Sequence, residues 1–153
     1  MSNHGLPNVR LFLRLMVDPG WAPIAVAAAF LLMLGTAFPE EHDYVFHLAG
    51  GAAIAYFVWR TIAIVPALAG RIAPPKRPVV TFLATLVVAV LWEVAELAAG
   101  TMGVLLQRGP GETVRDIAYG ALGAIVFVVL ARAVSRLAPA GQGPTEQHPT
   151  DRS

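Results

Sequence analysis

Residues 79–101 read VVTFLATLVVAVLWEVAELAAGT, and how that stretch is accommodated decides the fold. Its length matches the ~20 residues that carry a helix across a ~30 Å hydrocarbon core. Leu, Val and Ala recur without period-two alternation, so the stretch predicts a helix and disfavours a strand of a membrane barrel. Two carboxylates interrupt it. Glu93 stands 14 positions after Val79, about 21 Å along a helix and hence roughly 9 Å below the outer edge of the core. An acidic residue at the bilayer centre costs roughly 2.5–3.5 kcal/mol, so Glu93 and Glu96 need partners, water or a proton.

Outward from there, three more apolar runs occupy 21–38, 44–65 and 117–137. Hydrophobic residues make up 56% of the 153 and charged residues 14%, against about 25% charged in a soluble domain. The expected fold is all-α, a polytopic membrane protein whose four transmembrane helices fill 21–138. A net charge of +1 leaves no dense basic patch for nucleic acid. The lack of cysteine excludes disulfides, thiol catalysis and thiolate metal sites.

The ends of the chain read differently. In residues 1–20, Arg10 and Arg14 sit among Val9, Leu11, Phe12, Leu13, Leu15 and Met16, between Pro7 and Asp18-Pro19-Gly20. That pattern predicts a short interfacial helix, in preference to a signal peptide cleaved after Gly35-Thr36-Ala37. The tail 139–153 is Pro, Gly and polar residues and is expected to be disordered and cytoplasmic.

Charge sets the orientation. Arg10 and Arg14 precede the first span, Arg60, Arg71, Lys76 and Arg77 flank the second connection, and Arg132 and Arg136 close the fourth span. The first connection carries Glu40, Glu41, His42 and Asp43 with no basic residue, and the third balances Arg108 and Arg115 against Glu112 and Asp116. By the positive-inside rule both termini face the cytoplasm, and the first and third connections face outward.

Residues three and four apart share a helix face. Asp43 and His47 thus align with Gly50, Gly51 and Ile54, Glu93 and Glu96 with Ala89, Ala99 and Gly100, and Asp116 with Gly120, Gly123, Ala124 and Phe127. Each helix puts its ionisable groups at the outer end of a small-residue stripe, and such stripes mark close helix contacts in membranes. The expected site gathers Asp43, His47, Glu93, Glu96 and Asp116, with Glu112 and Arg115 at its mouth. With Glu40, Glu41 and Arg108 included, seven carboxylates face two arginines. They cannot all be buried as ions unless His47, Arg115 or a bound cation balances them.

Three strings, Asp43-Tyr44-Val45-Phe46-His47, Trp92-Glu93-Val94-Ala95-Glu96 and Glu112-Thr113-Val114-Arg115-Asp116 with Gly120 and Gly123-Ala124, resemble those of the VanZ-like membrane proteins. They also resemble an uncharacterised relative bearing W-E-x-x-E and D-T-x-x-D motifs. The resemblance covers the second to fourth helices and implies a multi-pass protein of the bacterial cytoplasmic (inner) membrane. VanZ-like proteins are associated with resistance to lipoglycopeptides such as teicoplanin, but their chemistry is not established. Glu96 stands where VanZ-like chains often have glutamine, Gly120 where they often have asparagine, and Glu112 where the relative usually has aspartate. The resemblance therefore implies a fold and a site, not a reaction.

Several functions remain open on the residues. A buried ionic network could simply fix helix register. An outward-facing acidic pocket would bind a lipid headgroup, a cationic envelope small molecule or a divalent metal ion. For a metal, His47, Glu93, Glu96 and Asp116 suit zinc, manganese or iron by ligand type. Their spacing matches neither a His-Glu-x-x-His site nor the Glu-x-x-His pairs of di-iron bundles. A hydrolase or transferase acting on lipid-linked substrates would use Glu93 or Glu96 as base. No Gly-x-Ser-x-Gly or phosphate-cradling loop supports that, so an enzyme is disfavoured. An accessory subunit, docked on another membrane protein or on a second copy, is the structural alternative. Toward the cytoplasm the third helix offers only Thr81 and Thr85, which disfavours transport. Binding is the favoured reading.

Overall fold

The computed structural model describes residues 6–34, 44–101 and 109–137. The elements are α1 (Leu6–Val17), α2 (Trp21–Leu34), α3 (Tyr44–Ile64), α4 (Pro66–Arg71), a 3-10 turn (Pro74–Lys76), α5 (Arg77–Thr101) and α6 (Pro110–Leu137). Every described element is helical. Asp43, Arg108, the 39–43 connection and the 139–153 tail lie outside the described residues.

Packing is inverted relative to a soluble bundle. The buried apolar residues are small or few, Ala53, Ala55, Ala124 and Ile62, while Leu83, Val87, Leu91, Val94, Leu97, Ile125, Val129 and Leu130 are exposed. The buried polar side chains are Thr81, Thr85, Glu93 and Asp116. Large apolar groups outside and polar groups inside are stable only where the surroundings are themselves hydrocarbon. The chain is an all-α polytopic membrane protein.

Helices α3, α5 and α6 are long and apolar enough to span a bilayer on their own, and they cover the apolar runs 44–65, 79–101 and 117–137 except for Val65. α3 ends at Ile64 because Pro66 supplies no N–H to continue it. α6 starts at Pro110, seven residues before the apolar run 117–137, because Pro suits the first helical position and Glu112 caps the start by accepting from Gly109 N at 3.2 Å. The expected first span is more complex. Trp21–Leu34 has 14 residues, about 21 Å of rise. Among the described residues it reaches spanning length only together with α1, from which it is bent by 56°; positions 35–38 of the expected run lie outside them. The bend falls at Asp18-Pro19-Gly20, where a Cβ on Gly20 would lie 2.7 Å from Met16 O. The residues expected to form an interfacial helix are helical as α1, with Val9, Phe12, Leu13 and Met16 exposed on one face.

The elbow is tied to α3. Arg60 donates to Asp18 Oδ2 at 2.7 Å, and Trp21 rests against Tyr56 with ring centroids 6.0 Å apart. The closest packing is between α3 and α6. A Cβ on Gly51 would strike the Gly120 backbone, and one on Gly123 would strike Leu48 O. Only glycine permits such an approach, as the small-residue stripes predict.

Candidate functional site

Close approach of α3 and α6 decides where the ionisable groups meet. Gly51 and Gly120 let the two backbones touch, so the turn before each brings His47 level with Asp116. α5 packs against both and adds Glu93. His47 Nδ1 lies 3.6 Å from Glu93 Oε1, and its Nε2 lies 3.6 Å from Asp116 Oδ2. Both separations are longer than a hydrogen bond, yet all three side chains are nearly sealed, at 9%, 5% and 0% exposure.

The remaining polar groups flank this centre. Arg115 Nε donates to Asp116 Oδ1 at 3.3 Å while its own side chain is half exposed. Glu96, one turn beyond Glu93, accepts from Trp92 Nε1 at 2.8 Å through Oε1, and its Oε2 is shielded from solvent with no hydrogen-bond partner. One ligand atom each from His47, Glu93 and Glu96 lies within 4.8 Å of the others. The structure therefore brings together His47, Glu93, Glu96, Arg115 and Asp116. Glu112 is exposed and serves as a helix cap, and Asp43 lies outside the described residues.

A cavity of about 160 Å³ abuts the cluster, comparable to the ~150 Å³ void that accepts benzene in an engineered core. His47, Glu93 and Asp116 form its polar wall, and Val26, Phe30, Phe46, Ile54, Val88 and Trp92 are among its apolar lining. Phe30 meets Phe46 and Trp92 edge-on, with centroids 5.6 and 6.1 Å apart. The contribution of α2 was not legible beforehand, because that run carries no ionisable residue and its apolar positions show no preferred face. The role of Trp92 was half legible, since a Trp four residues before Glu96 can donate along the helix.

Chemically the arrangement offers one imidazole, three carboxylates and one guanidinium beside an apolar chamber. It can neutralise and orient a positive group. It offers no nucleophile activated by a base among the described residues.

A family profile described as "Predicted membrane protein (DUF2238)" matches residues 9–136. That range contains α2 to α5, most of α1, nearly all of α6, and every residue of the cluster. No curated protein and no solved structure matches the chain.

Proposed function

Because this chain belongs to the DUF2238 family of predicted membrane proteins, we propose that it works inside the membrane as a binding protein for a positively charged envelope ligand. The ligand meets His47 of α3 and the carboxylates of α5 and α6 in the outward-facing half of the bilayer of the bacterial cytoplasmic membrane. The observation that carries this reading is the placement of Glu93 and Asp116, 5% and 1% exposed, on the wall of a mostly apolar cavity. Burying carboxylates at that depth is costly unless a cation or a proton balances them, and the cavity leaves room for a group to approach. Likeness to VanZ-like proteins in the Trp92–Glu96 and Glu112–Asp116 strings agrees with a site at this position and adds no reaction. The orientation, with both termini in the cytoplasm, rests on the basic residues around α4 and the end of α6.

The test is native mass spectrometry of the protein gently extracted from its own membrane, beside Glu93→Gln and Asp116→Asn. A retained added mass that disappears in either variant, while both variants melt like the wild type, supports binding. A chain that carries no added mass, with both variants melting far below wild type, assigns the cluster to helix register instead.

A further inference from the structure

We infer that the positive group held at this site is a divalent transition-metal ion, bound by His47 Nδ1, Glu93 and Glu96, with Asp116 orienting the histidine from behind. The inference rests on reading the cluster as a binding site and names its ligand.

Four observations point the same way. First, the two faces of the imidazole are differentiated. Nδ1 faces Glu93 at 3.6 Å and Nε2 faces Asp116 at 3.6 Å, and one imidazole nitrogen lies within 4.8 Å of ligand oxygens of both Glu93 and Glu96. Metal-bound histidine commonly turns its second nitrogen to a carboxylate, which fixes the tautomer and raises ligand basicity. Second, the Nδ1 to Oε1 separation is close to the roughly 3.3 Å between two ligands on a tetrahedral ion with bonds of about 2.0 Å. Third, Trp92 Nε1 occupies Glu96 Oε1 at 2.8 Å and leaves Oε2 solvent-shielded without a hydrogen-bond partner. An ion would satisfy that oxygen. Fourth, the charge of a dication matches that of the two carboxylates it would touch, and Arg115 Nε lies 3.3 Å from Asp116 Oδ1.

The chemical class follows from the donors. One imidazole and two carboxylates suit zinc, manganese or iron, and they lack the six to eight oxygens that calcium takes. Three protein ligands leave a position open. His47 and Glu93 also line the cavity, so a small oxygen-bearing group lodged there is within reach of the ion.

The experiment uses the full chain purified in detergent and stripped with chelator, with Zn²⁺, Mn²⁺ or Co²⁺ added alone and uptake measured by equilibrium dialysis. The expected result is one equivalent of Zn²⁺ per chain, and a visible absorption band with Co²⁺ in the range of a four-coordinate site. Glu96→Gln, whose side chain sits at the margin of the bundle, should weaken uptake at least tenfold without shifting the melting temperature of the stripped protein. Asp116→Asn should weaken it by about 10- to 100-fold, as loss of an outer-shell partner does. Absence of stoichiometric uptake by the wild type overturns the inference, and so does unchanged affinity in Glu96→Gln. Binding of a long-chain alkylamine, measured on the same chelator-treated protein, separates the two readings. Amine binding that depends on Asp116, without metal uptake, overturns the metal assignment and leaves the proposed function standing. If neither binds, both fail.

Discussion

Replacing Gly51 by alanine adds one methyl group at the tightest point between α3 and α6. That methyl would sit 2.7 and 2.8 Å from Gly120 C and Cα, and closer still to Gly120 O, where ordinary contact begins near 3.4 Å. No rotamer relieves the clash, since the atoms it meets are backbone, so the helices must part by more than about 0.7 Å. Overpacking of this kind costs about 1–3 kcal/mol. At about 2–4 °C per kcal/mol for a chain of this size, the melting temperature should fall by about 2–12 °C. The neighbouring Gly50 is the internal control, because its nearest heavy atom would be Val26 Cγ1 at 4.0 Å. Gly50→Ala should be neutral, or stabilising by about 0.4–1 kcal/mol through loss of unfolded-state freedom. The same separation also pulls His47, one turn away, from Asp116, so Gly51→Ala should weaken ligand-dependent stabilisation as well. The assay is thermal unfolding of both variants in one detergent. Gly51→Ala melting level with Gly50→Ala would refute the close approach, and with it the geometry of the site.

Other expectations follow from separate parts of the molecule. Reporter fusions at Gly111 should read as external and at Pro74 as cytoplasmic, and finding Pro74 outside would invert the proposed orientation. Asp18→Asn removes the Arg60 partner at the elbow; since the paired side chains are 31% and 41% exposed, global stability should drop by no more than ~1 kcal/mol. Hydrogen exchange in α1 should nevertheless quicken, and unchanged exchange there would show that the ion pair does not hold the elbow. Glu112→Ala removes the cap at the start of α6, with an expected loss of about 0.5–1 kcal/mol and no change in ligand binding; a binding defect would return Glu112 to the site.

Composition and run length were enough for the solvent, the helical class and the three long spans, because the energetics of hydrocarbon act on each segment alone. A run of ~20 apolar residues must be helical in lipid whatever its neighbours do. Helical periodicity also placed His47, Glu93, Glu96 and Asp116 on small-residue faces, because i, i+3 and i+4 positions align within any one helix. The relations between helices could not be read that way. That Nδ1 of His47 looks to Glu93 and Nε2 to Asp116, that Glu112 caps a helix instead of joining the cluster, and that α2 lines the cavity beside them all depend on helix contacts. Those contacts are set by where glycine backbones meet, at Gly51 against Gly120 and Gly123 against Leu48. The sequence determined which residues needed partners; only the packing of α3, α5 and α6 decided which partners they met, because distances between helices are not a property of any one of them.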